Sequence, residues 1–347
     1  IVEMLQDPHE AVVPHNVVQS LLEWLTAAAP ERTSQSAPET SVLDSGPRVV
    51  GRGIQERAMW LDADQRLFGI LSTPAAETSN GKALVLLNAG GNHHIGNGAL
   101  YVQLARTLAG DGWSVLRYDV SGIGDSDAHE GRPPGEVYTP FAVEDFATAV
   151  AALTRELQPR RIEAAGLCSG AYHAYRGAAA DVPVDAITVV NPLTFDWREG
   201  MSLAYPAFQV AQAGEQYKAS ALSAEKWRKL LRGDVNVAAA GAIVMRSVLA
   251  SANTRVRTLR RSLGVPEQGD IAVRLKRIDE RGIRVRFVFS RGDPGELLLR
   301  EGSGGTLGQL ERKGALTIAH LEDCDHALSR AWMRDEFTRW FREALHE

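Results

Sequence analysis

The pattern of apolar and polar positions changes character near Gly51. Before it, Val17, Val18, Leu21, Leu22 and Leu25 recur at helical spacing, which predicts a helix over 16–25. Residues 27–48 are rich in Ala, Pro, Ser, Thr and Glu without a period, as in a linker. After Gly51 two short strands, 58–61 and 66–72, flank Asp62, Ala63 and Asp64 as a hairpin. The continuous apolar run at 83–87 predicts a strand buried on both faces. Further strands are expected at 114–118, 161–165, 186–190, 285–290 and 316–321. Helices are expected at 101–108, 141–157, 171–180 and 330–345. This alternation predicts an α/β protein with a doubly wound, mostly parallel sheet. Residues 197–281 lack strand signals and read as a helical lid inserted into it.

The organisation expected is therefore a main domain over 49–347, a linker over 27–48, and residues 1–26 as a tail or the end of a preceding domain. The sequence starts at Ile1 and shows no signal peptide. Composition narrows the partners. A net charge of −5 over 347 residues excludes nucleic-acid binding by bulk electrostatics. No apolar run reaches the length of a membrane span, so no membrane partner is expected. Two cysteines argue against a disulfide-built secreted protein, and the cytoplasm is the expected location. Locally the balance reverses. Between residues 218 and 281 stand 14 Lys or Arg against 6 Asp or Glu, which suits either a solvated charged face or an acidic partner.

The run from Ile162 to Tyr172 contains Gly166-Leu167-Cys168-Ser169-Gly170 between an expected strand and an expected helix. A nucleophile on a strand-to-helix turn needs small residues two before and two after it. Gly166 and Gly170 meet that need around Cys168. Were Ser169 the nucleophile, Leu167 would occupy one of those places and is too large. The amides at the start of the following helix favour a thiolate, and that of Ser169 is placed to donate to an oxyanion. The bland reading of a lone cysteine is a small core side chain.

After such an elbow an acid and then a histidine follow along the chain. Asp293 stands just past the strand at 285–290, between Gly292 and Pro294. It reads as the carboxylate orienting an imidazole, or as a turn cap. Asp196 and Asp325 are the other candidates for the acid. His326 follows the last strand and opens the final helix, the place of the general base. The loop after 83–87 holds Asn88, Gly90, Gly91, His93 and His94. Gly90 is the first candidate for the second oxyanion donor and Gly91 the next, while Asn88, His93 and His94 are candidate substrate contacts. His93 and His94 lack a spaced set of further ligands, so no metal site and no cofactor are expected. Cys324 reads as packing. The loop from Asp119 to Ser126 has glycines but no lysine, so it is no phosphate loop.

From about Gly51 onward these motifs resemble the α/β-hydrolase superfamily. Residues 87–90, 118–126, 166–171, 191–195, 200–203, 225–231 and 292–295 are also similar to a bacterial group of hydrolases met beside acyl- and peptide-assembly pathways and exosortase systems, with serine-aminopeptidase-like relatives. In tandem members of that group a helix like 16–25 ends a preceding hydrolase domain. The resemblance implies the α/β-hydrolase fold and a triad of Cys168, His326 and Asp293. The common elbow of the superfamily carries serine where this chain has Cys168. A thiolate attacks thioesters readily and gives an acyl-thioester intermediate that can pass its acyl group onward. The expected activity is thus acyl-thioester hydrolysis or transfer, on a small-molecule acyl substrate borne by an acyl- or peptidyl-carrier protein or coenzyme A. The alternatives are a carboxylic ester or lactone hydrolase and a non-catalytic binding protein of the same fold.

Overall fold

The computed structural model describes residues 15–28, 48–49, 51, 53–201 and 269–346. The chain divides into two compact units, Ile1–Gly46 and Pro47–Glu347. In the first, the expected helix is present as α1 (His15–Ala28). Its apolar stripe, Val18, Leu21, Leu22, Trp24 and Leu25, is 41–64% exposed. Most of the expected linker and most of the expected lid lie outside the described residues.

Among the described residues the second unit is built on a nine-stranded sheet of order β1-β2-β3-β5-β4-β6-β7-β8-β9. Its strands are β1 (Arg48–Val49), β2 (Gln55–Trp60), β3 (Phe68–Thr73), β4 (Lys82–Leu87), β5 (Ser114–Tyr118), β6 (Arg161–Leu167), β7 (Ala186–Val190), β8 (Arg284–Ser290) and β9 (Leu316–Leu321). The first three are antiparallel, and β3 meets β5 antiparallel. From β5 through β4 and β6 to β9 all pairings are parallel. The expected hairpin joins β2 and β3. Asp62 closes it by accepting from the backbone N–H groups of Arg66 and Leu67 at 2.9 and 3.1 Å, the usual work of an Asp side chain in a turn.

The apolar run at 83–87 shows why a central parallel strand lacks alternation. Ala83, Val85 and Leu87 enter one core with Phe146, Ala149 and Tyr175. Leu84 and Leu86 enter the other with Leu104, Leu108 and Trp113. Helices cover both faces, so both sets of side chains are buried. These helices are α2 (Leu100–Gly110), α3 (Ala142–Leu157), α4 (Ser169–Ala179), α5 (Ile271–Glu280), α6 (Pro294–Ser303), α7 (Gly305–Lys313) and α8 (Ala331–His346).

The polar, glycine-broken stretch between β8 and β9 forms α6 and α7, which the periodicity did not predict. Gly304, at φ 54°, is the joint between them. The final helix begins at Ala331, so His326 stands in the loop before it rather than at its opening. Among the described residues no helix is long and apolar enough to cross a membrane. Chain order places β5 on one side of β4 and β6 on the other. In open α/β sheets that reversal marks the ligand-binding crevice at the carboxyl ends of the strands.

Candidate active site

Cys168 sits at that edge, on the turn from β6 into α4. Its backbone is in a strained left-handed conformation, φ 56° and ψ −114°. Strain of this kind in a non-glycine residue persists only when the surroundings over-determine it. Here the Cys168 N–H donates to Val190 O at 2.9 Å and its carbonyl accepts from Tyr172 N–H at 3.2 Å. The flanking glycines are a steric necessity. A Cβ on Gly166 would run into the backbone of Gly170, and one on Gly170 into the carbonyl oxygen of Leu87. Beneath the turn, the buried Tyr101 hydroxyl donates to Leu87 O at 2.8 Å and accepts from Leu167 N–H at 3.2 Å. It ties β4 to β6 immediately before the elbow.

His326 lies against Cys168 from the loop after β9. Its Nδ1–H donates to Asp293 Oδ2 at 2.6 Å, and its side chain is hydrogen-bonded to Cys168 as well. Burial opposes a charge on the imidazole, but hydrogen bonds to Asp293 and Cys168, together with the negative charge of both, outweigh it and raise the pKa to about 10. Asp293 is buried, and its other oxygen accepts from Gly295 N–H at 2.9 Å as the N-cap of α6. Of the three candidate acids, Asp293 is the one bonded to His326. Asp196 is bonded to Arg274 and Arg198, and Asp325 to Ser329.

Two polar residues that the sequence did not single out hold the histidine loop. Asn191, fully buried at φ 47°, donates through Nδ2 to His326 O and to Ser290 Oγ, each at 2.9 Å. Its Oδ1 accepts from Ser290 N–H at 2.7 Å, and the Ser290 hydroxyl donates to Asp325 O at 2.8 Å. The ends of β7 and β8 thereby fix the backbone that carries the imidazole. The sequence signal was slight: polar residues closing two otherwise apolar strands.

The loop after β4 carries the remaining candidates. Gly90 N–H donates to the Ser169 hydroxyl oxygen at 2.7 Å, so this amide has a partner before any substrate arrives. Ser169 is the first residue of α4, where a backbone N–H has no acceptor within the helix. The Asn88 side chain is committed within the fold: Nδ2 donates to Asn92 O at 3.2 Å and Oδ1 accepts from Val120 N–H at 3.3 Å. It tethers the β4 loop to the β5 loop rather than facing a ligand. His94 is buried and turned to Asp119, its Nδ1–H donating at 2.8 Å. His93 stacks edge-on against His94. Cys324 packs in the core with a free thiol, as the sequence suggested.

A cavity of about 200 Å³ opens between the loop before α3 and the helix that follows the elbow, with Tyr138, Tyr172, His173, Arg176 and Trp197 in its wall. Tyr138 and Trp197 stack at 4.4 Å. The Tyr138 hydroxyl is buried with no hydrogen-bond partner among the described residues, and burial together with the nearby Cys168 thiol raises its pKa well above the usual range. His173 is held neutral, since burial lowers its pKa to about 4. Its Nε2–H donates to Val137 O at 2.9 Å, which leaves the Nδ1 lone pair toward the interior. The cavity wall thus combines aromatic rings with Tyr138, the residue whose pKa the Cys168 thiol also raises.

No curated protein matches the sequence. Among solved structures the chain is similar to a dienelactone hydrolase from Anabaena variabilis ATCC 29413, with 11% identity, 84% of this chain and 96% of that one covered, and a TM-score of 0.49. It is also similar to a proline iminopeptidase of Mycobacterium smegmatis, at 17% identity with 81% and 94% covered and a TM-score of 0.46. A cold-adapted esterase from an Arctic intertidal metagenomic library gives 16% identity, 86% and 96% covered, and a TM-score of 0.45. Likenesses this distant carry no argument about substrate. The family described as alpha/beta hydrolase fold matches residues 82–264, more than half of the chain and including β4 and the Cys168 elbow. The strand order, the elbow and this match lead to one conclusion: the chain belongs to the alpha/beta hydrolase fold family.

Proposed function

We propose that the protein is an enzyme that takes an acyl group from a thioester onto Cys168 and passes it to water or to another nucleophile. The observation that carries this reading is the arrangement at the elbow: a cysteine on the strained turn, hydrogen-bonded to an imidazole that Asp293 orients. His326 takes the Cys168 proton, and the resulting thiolate attacks the acyl carbonyl carbon. The tetrahedral oxyanion is received by the amide of Ser169 and by that of Gly90 or Gly91 in the β4 loop. Gly90 leaves the Ser169 hydroxyl to do so. Collapse breaks the carbon–sulfur bond of the substrate, and the imidazolium protonates the departing thiol. His326 then removes a proton from the acceptor, which attacks the acyl-Cys168 thioester and returns the thiol.

Asp293 holds the Nδ1–H tautomer throughout. The raised pKa of His326 supports this assignment, because it favours an imidazolium beside a thiolate at neutral pH. A thioester intermediate is close in energy to a thioester substrate, which favours thioesters over oxygen esters. The aromatic cavity walled by Tyr138 and Tyr172 is the proposed place for the acyl chain, with the Tyr138 hydroxyl as a contact for a polar atom on it. An acyl- or peptidyl-carrier protein or coenzyme A is the proposed bearer of the acyl group.

The test is a comparison of kcat/KM on acyl-coenzyme A and acyl-carrier-protein thioesters with that on aryl esters and lactones of matched acyl groups. Preference for thioesters, lost in Cys168→Ala, supports the proposal. Preference for esters or lactones overturns the substrate class, and turnover surviving in Cys168→Ala overturns the nucleophile.

A further inference from the structure

Two histidines that the sequence left without further ligands gain one in the fold. His93 and His94 stand in the loop after β4, and Asp125 in the loop after β5. A ligand atom from each of the three lies within 4.8 Å of the others. We propose that His93, His94 and Asp125 bind a divalent zinc-class metal ion that clamps the β4 loop to the β5 loop.

The support around these side chains is what a metal site requires. Asp119, fully buried, accepts from His94 N–H at 2.6 Å, from His94 Nδ1–H at 2.8 Å and from Asp125 N–H at 3.0 Å. One carboxylate therefore positions two of the three ligand residues. By taking the Nδ1 proton of His94 it leaves the lone pair on the other ring nitrogen, the arrangement in which an outer carboxylate orients a ligating imidazole. Gly124 lets the loops approach: at φ 58° a Cβ there would collide with Asp119 and with the His93 side chain.

Two imidazoles and one carboxylate suit zinc and its transition-metal neighbours, whereas magnesium and calcium seek oxygen alone. Zinc bonds of 2.0–2.2 Å separate tetrahedral ligands by about 3.4 Å. Rotations of the His93 and Asp125 side chains close the set. The clamp acts on the loop that carries Gly90, and it does not depend on the identity of the nucleophile.

The experiment uses the full chain with Cys168→Ala, so that Cys168 and His326 cannot chelate the probe. The protein is stripped with EDTA, and zinc chloride is titrated by calorimetry, with magnesium chloride in parallel. One zinc per chain is expected, with a zinc-dependent rise in melting temperature. His93→Ala and Asp125→Asn, both at partly or fully exposed positions, are each expected to weaken binding at least 10-fold. Asp119→Asn is expected to weaken it about 10- to 100-fold, as loss of an outer-shell partner does. If Asp119→Asn does not fold, the first two variants decide the matter. Absence of zinc binding, unchanged binding in the His93→Ala/Asp125→Asn double variant, or equal affinity for magnesium would overturn the proposal.

Discussion

The carboxylate of Asp293 is bonded at both oxygens: Oδ2 accepts the His326 Nδ1 proton at 2.6 Å, and Oδ1 caps helix α6 through Gly295 N–H at 2.9 Å. The cap fixes the rotamer that presents the second oxygen to the imidazole. Two substitutions separate the roles. Asn still caps a helix, whereas Ala does not. Asp293→Asn is expected to lower kcat roughly 10,000-fold, because it favours the wrong imidazole tautomer, with little loss of stability. Asp293→Ala is expected to lose activity similarly and about 0.5–2 kcal/mol of stability as well. Urea unfolding and steady-state kinetics on both variants check this.

The histidine also sets a pH dependence. Its pKa in the folded protein is about 10, against an ordinary value near 6.5. A folded-state pKa above the unfolded one means that the imidazolium contributes stability fully below about pH 6.5, lost as the pH rises through about 10. The melting temperature of the unmodified protein is therefore expected to fall more steeply between those limits than that of His326→Gln. Parallel curves would contradict the assignment.

Tyr101 is a strut. Tyr101→Phe leaves Leu87 O and Leu167 N–H buried without their partner, at a cost of about 1–3 kcal/mol for each unsatisfied group. Because both groups flank the elbow, kcat is expected to fall with the stability, as measured by unfolding and turnover of the same preparation.

Tyr138 is the opposite case. Its buried hydroxyl has no partner among the described residues, so Tyr138→Phe is expected to leave stability unchanged or slightly raised. A reduced kcat/KM on substrates with a polar acyl group, at unchanged stability, would show that the hydroxyl meets the substrate. Unchanged kinetics would remove it from the site.

Much of this architecture is legible in the sequence where a single segment contains the whole constraint. The elbow is such a place: Gly166, Cys168 and Gly170 declare a tight turn, and the steric contacts bear out the need for glycine at both positions. The apolar run at 83–87 declares a strand with both faces buried. Asp293 could be read as a turn cap or as a partner for histidine, and the structure shows that one carboxylate makes both contacts.

Contacts between distant segments were not legible. Asn191 and Ser290 hold the His326 loop from two different strands, and nothing in either sequence neighbourhood names that loop. Asp125 joins His93 and His94 only because β4 and β5 are adjacent in the sheet. The helices α6 and α7 escaped notice because their glycines dilute the periodicity. The Gly90 amide reads as free from sequence, yet in the fold it donates to the Ser169 hydroxyl.

The central claim is that an acyl group resides covalently on Cys168. The most direct measurement is intact mass after incubation with acyl-coenzyme A and acyl-carrier-protein thioesters, for the unmodified protein, Cys168→Ala and Ser169→Ala. The account predicts a mass gain equal to the acyl group in the first, none in Cys168→Ala, and an adduct retained in Ser169→Ala. An adduct that persists in Cys168→Ala, or one that vanishes only in a folded Ser169→Ala, would contradict it.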